Sequence, residues 1–225
     1  MKKVFLNAML VAFIGITSVS CKNEPKNETK ANEAEEVAVA ADDAQVFMID
    51  ANNSKIEWKG AKPGGEHTGT IAVKDGKFST MGEKLESGSI VIDMESITVT
   101  DLEGQDKMDL EGHLKGTAEG KEDHFFNVAE HPVAKFEITN LMEKDGKTWL
   151  SGNLVMKGNS KNVDIPVNYS MKDDGEKLMI ESEPFTIDRT QWKVNYGSKS
   201  VFDDLKEKYI NDKIEIKFMV EAKKA

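Results

Sequence analysis

The sequence predicts a mainly β fold, an antiparallel barrel or sandwich of about eight to ten short strands with one or two short helices. Three observations support this prediction. Apolar and polar residues alternate with period two in many short segments, Asp-Gly pairs stand between several of these segments, and no internal repeat with a period of 20 to 50 residues is visible. Alternation indicates strands with one buried and one solvated face, and Asp-Gly favours hairpin turns between antiparallel neighbours.

The clearest alternation occurs at residues 90–94, 136–138 and 214–220, where large apolar residues occupy every second position. Further strands are predicted at residues 46–50, 55–59, 70–74, 149–157, 162–169, 178–181 and 185–188. Hairpin turns are predicted at the three Asp-Gly pairs, residues 75–76, 145–146 and 174–175. The alternation is lost over residues 101–131, which predicts a long connection with one or two short helices that closes one end of the sheet.

The first 20 residues predict a lipoprotein signal peptide. Lys2 and Lys3 precede an almost unbroken apolar run at residues 4–16, which is too short to cross a hydrocarbon layer of about 30 Å. Small residues then lead to Cys21, and this arrangement resembles bacterial lipoprotein signals, in which the cysteine becomes the acylated first residue. A plain secretory signal is the alternative. Both predict an exported protein, and acylation predicts a lipid anchor in the cell envelope, at the periplasmic face or the outer membrane.

Residues 21–45 predict a lipidated cysteine followed by a disordered acidic tether. Residues 22–45 hold seven acidic and three basic side chains and no aromatic residue. Such a composition buries too little apolar surface to offset the entropy of ordering. Residues 46–225 have the composition of a folded chain and are long enough for one domain.

Composition and motifs exclude several function classes. The chain carries 40 acidic and 30 basic side chains, a net charge of −10, which does not favour nucleic acid as a partner. The single cysteine excludes a disulfide framework and a thiolate zinc site within one chain, and the four histidines are too dispersed to predict a metal site. The GxSxG, HExxH, GxGxxG and P-loop motifs are absent from the sequence, so we predict a protein that is not an enzyme.

Arg189 is the only arginine among the 30 basic side chains. A position that retains arginine in a lysine-rich chain indicates a need for the planar five-donor guanidinium. We therefore predict that Arg189 is partly buried and donates to a carboxylate or to backbone carbonyls, or stacks on Trp58 or Trp192. Contact with the head group of a ligand is the functional alternative.

Several motifs, in this order along the chain, resemble the YceI-like family. They lie at residues 49–50, 54–58, 89–96 (SIVIDMES), 113–114, 125–128 (FFNV), 131–136, 152–158 (GNLVMKG), 185–190 (FTIDRT) and 196–198 (YGS). The resemblance covers residues 47–225. It implies an extended lipocalin-like antiparallel barrel that encloses a polyisoprenoid or a similar amphiphilic lipid, such as a quinone, in exported bacterial proteins. It also implies a homodimer as one arrangement in solution, because family members commonly pair through their barrels.

A set of apolar residues is predicted to line the ligand tunnel, as the apolar phase of each strand or as part of the Phe-Phe motif. They are Trp58, Ile71, Ile90, Ile92, Met94, Phe126, Phe136, Ile138, Leu154, Met156, Phe185 and Ile187. Plain core packing is the alternative for each of them, and an error of one residue in phase would move a whole set to the outer face. No cofactor is predicted other than such a bound lipid, and the membrane is predicted as a partner through the acyl chains.

Two other functions remain open at this point. One is an enzyme of lipid or quinone chemistry that uses His113, His124 or His131 as a base. The other is a ligand-free envelope stress or interaction protein with a tightly packed barrel. A filled interior would favour the second, and a histidine of perturbed pKa facing a cavity would favour the first.

Overall fold

The computed structural model describes residues 27–225 of the chain, which form ten strands and one α-helix. The strands are β1 (Gln45–Ile49), β2 (Lys55–Lys62), β3 (Gly65–Met81), β4 (Lys84–Val99), β5 (Val133–Lys144), β6 (Lys147–Met156), β7 (Asn159–Lys172), β8 (Lys177–Ser182), β9 (Phe185–Asp188) and β10 (Lys213–Lys224). Helix α1 spans Gly104–Lys115, and short 3-10 helices span Ala51–Asn53, Asp173–Gly175 and Arg189–Trp192. The predicted signal peptide, Cys21 and residues 22–26 lie outside the described residues.

Eight of the strands close into a barrel in which every neighbour is antiparallel. Their order is β2, β3, β4, β5, β6, β7, β8 and β10. The ring closes at β10, because one edge of this strand pairs with β2 and the other with β8. Strand β1 continues the line of β2 between β3 and β10, and β9 pairs with β10 beyond the end of β8. The predicted lipocalin-like barrel of about eight strands is confirmed.

Two of the three predicted Asp-Gly turns connect strands. Asp145 and Gly146 join β5 to β6, both with positive φ, as the turn of a two-residue hairpin requires. Residues 173–175 join β7 to β8 in a similar way. The third prediction is wrong, because Asp75 and Gly76 lie inside the 17-residue strand β3, next to a register shift against β4. The register shift leaves Lys74 without a partner, while Asp75 and Gly76 stay paired with β4 and Gly76 has a φ of 152°, outside the values of a hairpin turn, so the dipeptide alone does not define a turn.

The predicted connection over residues 101–131 contains one helix, α1. The helix ends at Gly116, whose φ of 74° places it in the left-handed region that glycine adopts without strain. The following loop returns beneath the helix, where Phe126 N–H donates to the Leu114 carbonyl and Val128 N–H to the Lys115 carbonyl. This loop and α1 stand at one end of the barrel. Among the described residues, no helix is long and apolar enough to cross a membrane.

The two ends of the barrel interior differ in packing. At the end where β1 pairs with β3 and β10, apolar side chains fill the interior, and the fully buried ones include Phe47, Phe78, Leu85, Leu150, Leu178 and Ile180. The other end, beneath α1, is not filled. The barrel interior is therefore filled at one end, here called the packed base, and open at the other.

The structure differs from the predicted disordered tether over residues 27–44. Residues 27–38, here called the strap, form backbone hydrogen bonds to three strands, β9, β7 and β5, and bind the Asn153 side chain on β6. Thr29 N–H donates to the Thr186 carbonyl at 3.0 Å, and Ala38 N–H donates to the Ile138 carbonyl at 2.9 Å. The prediction considered only apolar burial, whereas the strap is held by backbone bonds to strand edges that other strands leave unpaired.

Candidate ligand cavity

The open end of the barrel encloses an apolar cavity of about 620 Å³. Aliphatic and aromatic side chains from the barrel strands form its walls, and α1 and the loop before β10 surround its mouth. Charged and titratable side chains occur among the lining residues at strand ends, on α1 and in that loop; they are Lys62, His67, His113, Arg189, Tyr196, Glu207, Lys208 and Tyr209. The cavity thus combines an apolar interior with a polar rim, which suits an amphiphilic molecule.

The structure brings together eleven of the twelve residues that the sequence predicted as tunnel lining. Those facing the cavity are Trp58, Ile71, Ile90, Ile92, Met94, Phe126, Phe136, Leu154, Met156, Phe185 and Ile187. The twelfth, Ile138, is fully buried in the packed core and does not line the cavity. Ile138 has the same inward phase as Phe136, but it lies one step closer to the packed base, where side chains fill the interior.

Sequence reasoning missed lining residues of two kinds, those on strands and those in the connections over the mouth. Ile214, Ile216 and Phe218 line the cavity from β10, and their alternation was recognised as a strand without being assigned to the wall. Leu110 on α1 and Ile210 in the loop before β10 also line it. No period marks these two positions, because only the folded connections bring them over the mouth.

Aromatic rings cover glycines on neighbouring strands of the cavity wall. Trp58 on β2 pairs with Gly69 on β3, and its indole occupies the space that a side chain at Gly69 would need. Phe136 on β5 lies over Gly152 on β6, where a Cβ atom would meet ring carbons at 2.2 to 2.7 Å. Glycine at these positions lets each ring lie flat on the sheet, which leaves the centre of the barrel open.

We expect Gly152→Ala to reduce the cavity and to destabilise the barrel by about 1–3 kcal/mol, as overpacking of a core does. The added methyl group must displace the Phe136 ring, and the open side of that ring is the cavity. Thermal unfolding measures the stability, and the amount of ligand retained at purification measures the cavity. The double variant Gly152→Ala, Phe136→Leu should recover both, since the smaller side chain leaves room for the methyl group. Failure of the second substitution to restore either property would contradict the assigned contact.

Arg189 is almost fully buried, with 2% of its surface exposed, and its guanidinium binds backbone carbonyls. Nε donates to the Asn211 carbonyl at 3.1 Å, Nη2 to the Ile210 carbonyl at 3.2 Å, and Nη1 to the Val194 carbonyl. Asp212 Oδ1 lies 3.5 Å from Arg189 Nη2. Burial lowers the pKa of Arg189, and the nearby carboxylates of Asp212 and Asp188 oppose this effect. One side chain thus binds carbonyl groups near both ends of the segment that connects Arg189 to β10.

An aromatic cluster packs at the mouth around His113 on α1. His113 Nε2 lies 2.8 Å from His124 Nδ1, a hydrogen bond in which the tautomers decide the donor. The Tyr196 ring stacks on His124 at 4.1 Å, and Phe125 meets His113 edge-on at 5.0 Å. Burial lowers the pKa of His113, and the positive charge of Lys121 and the electrostatic interaction with the adjacent His124 lower it further. The cluster therefore favours a neutral imidazole at position 113.

We expect acidification to destabilise the protein through His113. Because the folded-state pKa lies below the ordinary value of about 6.5, the unfolded chain binds a proton first as the pH falls. The free energy of unfolding should fall between about pH 7.5 and about pH 5.5, above the range in which carboxylates titrate. Thermal unfolding of the wild type and of His113→Gln across this range tests the expectation. The melting temperature of the wild type should fall more steeply, and parallel curves would assign the pH dependence to other groups.

The remaining histidines lie in different surroundings. His67 lines the mouth and its Nδ1 lies 2.8 Å from Asp101 Oδ2, whereas His131 is not among the lining residues. Within residues 27–225, no three His, Cys, Asp or Glu side chains converge on a point where a metal ion could be held.

A closed antiparallel barrel with an apolar cavity at one end is a lipocalin-like barrel. Comparison with known proteins agrees with this class and refines it. The model of the YceI-like domain matches residues 47–222, so the chain belongs to the YceI-like family. The match contains strands β2 to β9 whole and most of β1 and β10, and it does not include the strap, which precedes it.

Individual relatives are more distant. A UPF0312 protein of Shewanella denitrificans is 30% identical over 92 residues, which are 40% of this chain and 43% of that protein, so the match spans less than half of the relative's length. Among solved structures, a polyisoprenoid binding domain from Saccharophagus degradans, implicated in plant cell wall breakdown, superposes with a TM-score of 0.59 at 17% identity, covering 80% of this chain and 99% of that one. BcnA of Burkholderia cenocepacia gives 0.54 at 19%, covering 77% and 99%. At these identities the structures show the shared fold.

Proposed function

We propose that this protein binds one polyisoprenoid or quinone-like lipid inside its barrel and sequesters or transports it without catalysis. The observation that carries the proposal is the apolar cavity of about 620 Å³ with charged side chains confined to its mouth. Its walls accept a hydrocarbon chain, and its rim accepts a polar head group. The Saccharophagus domain of the same fold, described as polyisoprenoid-binding, supports this class of ligand.

The energetics of transfer suit a carrier. Burying one five-carbon isoprene unit from water contributes about 4 kcal/mol, at about 0.8 kcal/mol per carbon. The same unit gains almost nothing when it moves from a bilayer into the cavity, because both surroundings are apolar. A protein with this cavity therefore exchanges lipid with a membrane near equilibrium while it prevents loss of the lipid to water.

We place this activity in the cell envelope, with the chain exported and anchored by acyl groups on Cys21. The support is the sequence of residues 1–21, in which a short apolar run precedes small residues and the only cysteine. Incorporation of labelled palmitate into the wild-type chain, and its loss in Cys21→Ala, is the expected result. An unlabelled wild-type chain that is secreted freely would contradict the anchor.

An enzyme of lipid chemistry is the second candidate, and the neutral His113 imidazole at the cavity mouth is the observation that favours it. Its Nε2 is already paired with His124, however, and neither His124 nor His131 lines the cavity. The binding protein is the better-supported reading. Conversion of the bound lipid during prolonged incubation would reverse this preference.

Native mass spectrometry of the purified full chain, after exchange out of detergent, tests the binding proposal. We expect an additional mass at one copy per chain, released by organic solvent and identified as an isoprenoid or quinone. A chain of unmodified mass, unchanged after incubation with a bacterial lipid extract, would contradict the proposal. In that case a ligand-free interaction protein would become the favoured function.

A further inference from the structure

The wall of the barrel has a seam between β7 and β9. Among the strands that the structure describes, β9 pairs only with β10, and residues 159–166 of β7 pair only with β6. Ile165 on one side of the seam and Phe185 and Ile187 on the other all line the cavity. The seam therefore leads from the outer surface directly to the apolar interior. It continues to the mouth, because Arg189 follows β9 at the cavity rim.

The strap closes this seam as an added strand. Thr186 exchanges backbone hydrogen bonds with Asn27 and Thr29, and Asn162 exchanges two with Asn32, so four backbone bonds join the two edges through the strap. Ala31 packs against the core from the same position. The strap precedes residues 47–222, the part of the chain that matches the family model.

We propose that the strap is a removable wall strand, and that the seam beneath it is the entrance through which the lipid reaches the cavity. This proposal rests on the proposed function. A lipid with a long chain and a bulky polar head can enter sideways through a slot that runs to the mouth, with its head remaining in water. Entry through the mouth alone would lead past the loop that Arg189 holds by three hydrogen bonds to backbone carbonyls.

The contacts of the strap are those of a segment that detaches more readily than a barrel strand. Its ion pairs, Glu28 with Lys213 and Glu33 with Lys161, are on the surface and stabilise it little. The docked strap also buries two hydroxyl groups, those of Thr29 and Thr186, that lack a hydrogen-bond partner among the described residues. Unsatisfied buried hydroxyls oppose docking, because water would satisfy both of them in the open form.

The wall beneath the strap is polar, so it can be covered either by the docked strap or by water. The Asn153 side chain accepts from Glu35 N–H at 3.0 Å and donates to the Glu35 carbonyl at 2.7 Å, so it pairs with the strap as a peptide group would. Next to it, the side-chain amide of Asn162 donates to Asn153 Oδ1 and to Thr139 Oγ1. Water can replace the strap on these groups, whereas an apolar outer wall would oppose its release.

A disulfide that locks the strap tests the entrance. Glu28 and Thr186 are direct bridge partners, and neighbouring strands lie about 4.8 Å apart, which is within disulfide reach. The variant Glu28→Cys, Thr186→Cys is prepared in the full chain, and peptide mapping confirms that Cys21 is not involved. Ubiquinone-2 is the probe, and its entry is followed by stopped-flow quenching of tryptophan fluorescence, since Trp58 lines the cavity. The reduced double variant and the two single variants are the matched controls.

We expect ubiquinone-2 to bind to and dissociate from the oxidised form at no more than about one tenth of the rates of the reduced form. The equilibrium constant should be unchanged. Equal rates in the two forms would overturn the entrance and assign entry to the mouth. Failure of every form to bind the probe at equilibrium would refute the proposed function, and the entrance with it. Hydrogen exchange gives a readout that needs no ligand: the Thr186 and Asn162 amides should exchange together and faster than the Phe218 amide within the barrel. Equal protection of all three would also overturn the proposal.

Discussion

The double variant Ile92→Trp, Met156→Trp should fold as a barrel and lose its lipid. Both side chains face the cavity, from β4 and β6, the two strands that flank β5. Two indole rings would occupy the space of hydrocarbon, and each displaced isoprene unit removes about 4 kcal/mol of burial. Binding from water should therefore weaken by roughly a thousandfold for each displaced unit. Native mass spectrometry and titration with ubiquinone-2 measure the loss.

The chain offers a matched control on the same two strands. Val91 and Val155 are each one residue away from the substituted positions, and both are register partners of Lys135, one through β4 and the other through β6. Because Val91 and Val155 both face outward, the double variant Val91→Trp, Val155→Trp adds the same two rings to the outer surface. This variant should retain the lipid. Unimpaired binding in the inward variant would contradict the cavity as the binding site.

Substitution of Arg189 by methionine should be among the most destabilising single changes in the barrel. It leaves three carbonyl groups, those of residues 194, 210 and 211, without their donor and leaves Asp212 without its nearby cation. Loss of one partner of a buried charged network costs about 3–5 kcal/mol. For a domain of this size we expect the melting temperature to fall by about 10 °C. Arg189→Lys should recover part of the loss, because one ammonium group cannot reach all three carbonyls in the geometry of the guanidinium fork.

Lys193→Met is the control for the removal of a positive charge in the same segment. Lys193 is exposed, and its side chain has no hydrogen bond or ion pair among those described for residues 27–225. Its substitution should leave the melting temperature nearly unchanged. Arg189→Met with a melting temperature equal to that of Lys193→Met would show that the buried fork does not stabilise the mouth loop.

The cavity wall was predictable from the sequence because an alternating strand in a closed barrel has one inward phase. Once Ile90, Ile92 and Met94 are assigned to one face, only the direction of that face remains to be decided, and apolar composition decides it. Alternation does not show how far along a strand the interior is filled, so Ile138 was assigned to the wall although it belongs to the packed base. The same limit applies to Leu110 and Ile210, which reach the mouth through connections without a period.

The strap was not predictable, for a different physical reason. Its residues are small or charged, and its own composition favours disorder. What orders it is the edge of β9 and the edge of β7, and a strand edge without a partner is a property of the assembled barrel. Arg189 is the intermediate case. Its rarity indicated a special role and its burial was expected, but the identity of the three carbonyls depended on the loop that returns from Lys193 to Asp212.

The docked strap also determines the length of chain that would connect the barrel to a membrane anchor. With Asn27 fixed beside Thr186, six residue steps separate Cys21 from the barrel wall, a reach of at most about 20 Å. A chain undocked as far as Gln45 has a reach of about 80 Å. An acylated chain would therefore stand against its own bilayer when the seam is closed and could extend toward a facing one when it is open. A single strand would thus couple access to the cavity to the distance over which the lipid can be delivered.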